Sequence, residues 1–221
     1  MLCVPGLGLD AAAWEPTLRA WEGPGAASPR LVATLPGFGE RPPRGADLRP
    51  AVLGARLAEQ QLARETPTVL LGHSASCQVV AHAARLAPGG VSLLVLVGPT
   101  TDPRAATWPR IAARWLATAL HERPGQVPLL ARSYTRTGLG WAARAMDAAR
   151  RDDVRVTLRD TRCPVLVVRG RHDRICPADW AEAVATCGAE GSRAVTLAAG
   201  AHMVPLTHGD RVAAAVRTAS Y

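Results

Sequence analysis

The chain has 221 residues, 48% of them hydrophobic, enough to bury the core of one α/β domain. No apolar run approaches the ~20 residues of a membrane span, and the opening MLCVPGLG has neither a basic n-region nor an apolar h-region, which argues against a membrane partner and a secretory signal. The formal charge of +8 comes from 26 basic residues, all arginine, with no arginine run, no nucleic-acid-binding motif and few aromatics to stack bases, so nucleic acid is not an expected partner.

Short apolar runs alternate with alanine-rich stretches, the pattern of βαβ units around a parallel sheet. A strand at Leu2–Val4 leads to a helix over Ala11–Trp21. Strands at Leu31–Leu35 and Thr68–Leu71 lead to helices over Pro50–Arg64 and Ser76–Leu86. A fourth strand lies at Ser92–Val97 and a fifth at Val165–Arg169, the latter followed by a helix over Ala178–Cys187. A sixth strand at Ala194–Leu197 precedes a helix over Asp210–Ala219. The strands are continuously apolar rather than alternating, as expected when helices cover both faces of a sheet.

Between the fourth and fifth strands, Thr101–Arg162 has helical periodicity and no core strand, far longer than an ordinary connection. Trp108, Ile111, Ala112, Trp115, Leu116 and Ala119 fall on one helix face at i, i+3, i+4 spacing, and a second helix is predicted over Leu139–Arg150. The segment reads as a helical cap over one end of the sheet. It divides the chain into a first core part (1–100), the cap (101–162) and a second core part (163–221). Twelve arginines against six Asp/Glu give it +6 of the total +8. The five cysteines are scattered without metal-ligand spacing, which fits reduced thiols in a cytoplasmic protein.

Three segments carry chemistry. The apolar run Thr68–Leu71 passes straight into Gly72-His73-Ser74-Ala75-Ser76, and a helical pattern begins at once. A serine in so tight a strand-to-helix turn projects its hydroxyl from the sheet edge, with helix N–H groups behind it. Downstream, the strand at Val165–Arg169 is followed by Gly170 and then Asp173, and the strand at Ala194–Leu197 by His202 in a loop before a helix. All three groups leave the carboxyl ends of parallel strands, where open α/β sheets place their sites.

These segments, in this order, resemble the α/β-hydrolase superfamily from Leu2 to nearly the C-terminus. The pentapeptide is similar to the G-x-S-x-G nucleophile elbow, with Ser76 in place of the last glycine. Val4-Pro-Gly-Leu-Gly8 resembles the family's oxyanion loop, with Pro5-Gly6 where His-Gly is usual, and Leu35-Pro-Gly-Phe-Gly39 resembles its glycine-rich turn. The resemblance implies an α/β-hydrolase fold: a six-stranded, mostly parallel sheet in the order 2-1-3-4-5-6, flanked by helices and carrying the cap. It implies a catalytic triad of Ser74, Asp173 and His202, with the backbone N–H groups of Leu7 and Ala75 as oxyanion donors, and no metal or organic cofactor. The family's opening antiparallel hairpin is missing, so either a minimal version or a start upstream of Met1 is expected. Its loss would leave Leu31–Leu35 as a sheet edge that a homodimer would cover.

Asp102, after the fourth strand, is the alternative acid. His73 and His172 flank triad positions and read as pocket wall or surface. Trp108, Trp115, Tyr134 and Trp141 read as cap core or, alternatively, as a substrate pocket. Cap arginines such as Arg104, Arg110, Arg114 and Arg136 read as a solvated face, or as a lure for an acidic substrate or an acyl carrier. Cys77 reads as a buried small hydrophobe. The implied activity on a small-molecule substrate is ester or thioester hydrolysis of a small to medium-sized apolar acyl compound. C–C bond hydrolysis on the same triad, and a ligand-binding homologue without turnover, are the alternatives.

Overall fold

Strands with no polar face must lie between two layers of helix. The computed structural model, which describes residues 1–21, 31–62 and 66–220, has that arrangement. Six parallel strands, β1 (Leu2–Val4), β2 (Leu31–Val32), β3 (Thr68–His73), β4 (Val91–Val97), β5 (Val165–Gly170) and β6 (Arg193–Leu197), form one sheet in the order β2-β1-β3-β4-β5-β6. This is the order expected from the sequence. The first helices are α1 (Glu15–Trp21), α2 (Pro50–Leu57) and α3 (Ser76–Leu86). Between β4 and β5 come α4 (Trp108–Ala119), α5 (Val127–Thr137), α6 (Leu139–Ala149) and α7 (Val154–Leu158). After β5 come α8 (Ala178–Ala185), α9 (Val204–Thr207) and α10 (Gly209–Ala219).

Successive strand side chains point to opposite faces of the sheet, and the core divides accordingly. Leu70, Leu94, Leu96, Val165 and Val167 pack with α2, α3, α6, α7 and α8. Leu71, Val95, Val97, Leu166 and Val168 pack on the other face with Trp14, Val204, Val212 and Val216, so α9 and α10 lie there. α3 runs through the middle of the first layer, with Ser76 through Ala84 all buried.

Several elements depart from the sequence pattern. Only Leu31–Val32 of the second predicted strand joins the sheet, because its sole neighbour β1 is three residues long. Leu35–Pro36 instead pairs with Gly39–Glu40 in a tight turn. The helix from Pro50 finishes as a π-turn over Ala58–Leu62, and the end of its predicted span lies outside the described residues. The insertion holds α5 and α7 in addition to the two predicted helices.

The largest departure is the orientation of α4. Most of its apolar stripe faces outward: Trp108 is 44%, Trp115 41% and Leu116 70% exposed, while Ile111 is half-buried. The inner side is polar, with Arg114 on Asp102 at 2.8 Å and Thr118 Oγ1 accepting the N–H of Arg174 at 3.0 Å. α6 and α7 supply the apolar contacts through Ala142, Ala145, Ala149, Val154 and Leu158. All five cysteines are unpaired thiols. Among the described residues no helix is long and apolar enough to cross a membrane.

Candidate active site

β3 ends at His73 and α3 begins at Ser76, leaving two residues to reverse direction. Ser74 makes the turn at φ +58°, left-handed backbone that costs a side-chain-bearing residue roughly 1 kcal/mol or more. Its N–H is held by the carbonyl of Val97 at 2.9 Å and its carbonyl by the N–H of Cys77 at 3.1 Å. Ser76, where a glycine was expected, is fully buried and braces the turn: its hydroxyl accepts the His73 N–H at 2.8 Å and faces the carbonyls of His73 (2.9 Å) and Val4 (3.1 Å). Ser76→Ala would orphan a buried N–H, so a loss of about 1–3 kcal/mol in urea unfolding is expected. A variant as stable as the parent would show the hydroxyl to be dispensable.

The turn points Ser74 at the loop after β6. His202 Nε2 lies 2.9 Å from Ser74 Oγ, and His202 Nδ1 lies 2.8 Å from Asp173 Oδ2. A carboxylate only accepts, so Nδ1 carries the ring proton and Nε2 is free to accept from the serine hydroxyl. The other carboxylate oxygen of Asp173 accepts the N–H groups of Ile175 and Cys176, both at 2.9 Å. Burial pulls the pKa of His202 down, but the charges of Asp173 and Glu122 outweigh it, and the group ends above its ordinary value. Gly98, at φ +56°, closes the space beside this pair: a Cβ there would stand 3.0 Å from both Asp173 Oδ2 and His202 Nδ1.

The backbone N–H groups of Leu7 and Ala75 have no acceptor among the described residues. Gly8 N–H donates to Gly37 O at 2.9 Å, so the loop after β1 and the turn at Leu35–Gly39 are locked together beside the elbow. Tyr134 of α5 packs its ring over Gly8 and supports this loop from outside.

The remaining predicted residues are dispersed. His73 is neither pocket wall nor surface: it is 1% exposed, behind the elbow, with Nε2–H donating to the His202 carbonyl at 3.0 Å. Burial and the neighbouring His202 push its pKa down to about 3, so it is neutral. Asp102 is equally buried but pairs with arginines rather than with His202, with Oδ2 taken by Arg104 and Arg114, both at 2.8 Å. These arginines are therefore ion-paired rather than simply solvated, and Arg136 reaches Asp10 at 3.5 Å. Cys77 is buried, as expected.

Thr100, Thr101, Asp102, Ala105, Ile111, Arg114, Trp115, Met146 and Ile175 line a small open crevice between the loop after β4, α4 and α6. Of the residues proposed for a pocket, only Trp115 reaches it. Trp108 and Trp141 lie under the guanidinium groups of Arg150 (5.6 Å) and Arg144 (5.2 Å). No group of three or more His, Cys, Asp or Glu side chains among the described residues is arranged to hold a metal ion.

Two contributors escaped the sequence reading. Arg169, buried at the end of β5, donates to the carbonyls of Cys176 (2.6 Å) and Asp173 (2.8 Å) and fixes the loop that carries Asp173. A lone charge ending an apolar strand was its visible signal. Glu122 accepts the N–H groups of His202 and Met203 and left no such signal.

No curated protein matches the chain in sequence. Among solved structures, a thermophilic esterase from Thermogutta terrifontis is 25% identical, with a TM-score of 0.76 over 98% of this chain and 87% of its own. A hydrolase from Pseudomonas aeruginosa PA01 is 24% identical (TM-score 0.72, 99% and 88% covered). The enol-lactonase from Burkholderia xenovorans LB400 is 18% identical (TM-score 0.70, 99% and 89% covered). The sequence pattern of the alpha/beta hydrolase family matches residues 1–215, and the chain belongs to that family.

Proposed function

We propose that the chain is a serine hydrolase that cleaves an ester or thioester of a small to medium-sized apolar acyl compound through an acyl-enzyme. The observation that carries this reading is the unbroken relay from Ser74 Oγ to His202 at 2.9 Å and from His202 to Asp173 at 2.8 Å. As Ser74 Oγ attacks the carbonyl carbon, its proton passes to His202 Nε2. Asp173 holds the ring and offsets the imidazolium charge. The oxyanion is received by the N–H groups of Leu7 and Ala75, each worth roughly 3 kcal/mol in such a role. The tetrahedral adduct expels the alcohol or thiol, which takes the proton from His202. Water, deprotonated by the same imidazole, then breaks the acyl–Oγ bond.

The test is fluorophosphonate labelling of the purified protein, followed by burst and steady-state kinetics on short p-nitrophenyl esters and thioesters. Labelling with continued turnover is expected. A burst that stalls would mean a ligand-binding protein, and no labelling would remove Ser74 as nucleophile. The pH profile adds a signed expectation. The base acts only when neutral, and His202 is held above its ordinary pKa of 6.5, so kcat/KM is lost as pH falls through a limb lying above 6.5. A limb below that value would mean that another group titrates.

A further inference from the structure

The chain leaving α4 reaches into the site from the insertion. α4 ends at Ala119, and His121 and Glu122 close its last turn on the carbonyls of Thr118 (2.9 Å) and Ala119 (3.1 Å). One carboxylate oxygen of Glu122 accepts two successive backbone amides, the N–H of His202 at 2.7 Å and of Met203 at 2.8 Å. Its other oxygen accepts from Gln126 Nε2 at 3.1 Å. Bonds to an ionised acceptor are about twice as strong as neutral ones. The same turn grips the acid's loop: Thr118 Oγ1 accepts the N–H of Arg174 at 3.0 Å, and His121 stacks on His172 at 4.8 Å between ring centroids. These contacts flank Asp173 on both sides in the chain.

We propose that Glu122 is a positioning residue for the base: it fixes the backbone of His202 while Asp173 fixes the ring, and its charge favours the imidazolium formed when Ser74 is deprotonated. This deepens the serine-hydrolase reading and rests on His202 being the base. The groups around His202 leave that charge a distinct role. Asp173 and Ser74 take the two ring nitrogens, and neutral His73, 5.0 Å away between centroids, meets only the carbonyl. Glu122 alone engages the N–H. On the far side of Glu122, His208 is kept below its ordinary pKa by burial and by Arg123 and Arg211, so it is no cation competing for the carboxylate near neutral pH.

The two functions separate in two variants. Glu122→Gln keeps an oxygen for both amides and loses the charge; Glu122→Ala loses both. For Glu122→Gln we expect a plateau kcat within about threefold of the parent, with the acid limb of kcat/KM moved to lower pH by about half a unit. For Glu122→Ala we expect kcat to fall about tenfold or more, with KM moving much less. An acid limb unmoved in Glu122→Gln, or parental kcat in Glu122→Ala, overturns the proposal. Thermal melts identify a misfolded alanine variant, in which case the glutamine limb decides alone. Failure of the underlying reading shows separately, as a parent that does not label with fluorophosphonate or a Ser74→Ala variant that still does.

Discussion

Replacing His202 by alanine is expected to lower kcat on p-nitrophenyl esters by about 10⁴-fold or more, and Ser74→Ala to reach much the same floor. The serine hydroxyl is a poor nucleophile until a base takes its proton, and Nε2 of His202 is the one ring nitrogen within 2.9 Å of it. The two groups act as one unit, so the double variant is expected to lose little more than either single one. Asp173→Asn is expected to cost a similar factor, about 10⁴, because an amide at Oδ2 can present N–H to Nδ1 and reverse the tautomer. The fold is expected to survive His202→Ala, since Asp173 keeps its bonds to the N–H groups of Ile175 and Cys176. Melting and activity measured together therefore separate chemistry from folding. A His202→Ala enzyme with a tenth of parental kcat would remove His202 from the base's role.

The second large effect is expected at Gly170, the last residue of β5. A Cβ there would overlap the carbonyl oxygen of Ala201 and stand 2.6 Å from that of Gly200. Both obstacles are backbone, so neither can rotate away, and they belong to the loop that delivers His202. Gly170→Ala is expected to destabilise by roughly 3 kcal/mol in urea unfolding. What folds should carry a displaced base, lowering kcat by about 10²-fold. Gly125→Ala is the control, because a methyl there meets open space. Equal stability of the two variants would mean that the β6–α9 loop shifts freely and is not the rigid mount described above.

Much of this was readable in the sequence because it is local. The elbow is a strand, a turn and a helix in consecutive residues, and the apolar runs of β3 to β5 are long enough to be unambiguous. Order along the chain then paired Ser74 with an aspartate and a histidine after later strands. Other features depend on contacts that composition does not encode. The periodicity of α4 identified an apolar stripe, but not that Arg114 and Thr118 would turn the opposite side inward. Asp102 stood as the alternative to Asp173 because it too follows a strand. The three-dimensional arrangement commits the first to arginines and the second to an imidazole. Glu122 was invisible because its partners are main-chain N–H groups 80 and 81 positions away, which have no residue-type signature. α5 was missed because Pro128 and a run of polar residues interrupt its pattern.

The polar attachment of α4 has a consequence for how such a chain diversifies. None of its residues belongs to the apolar clusters that hold the sheet and its helices together. Drift along the outer face of this helix can therefore proceed without eroding the folding free energy of the whole. Inheritance is constrained at Arg114, which pairs with buried Asp102, and at the final turn, where Thr118 and Glu122 are tied to the loops that carry Asp173 and His202. The outward positions Trp108, Ala112 and Leu116 can be rewritten in this way, whereas Arg114 is held by Asp102 and the last turn by the two loops.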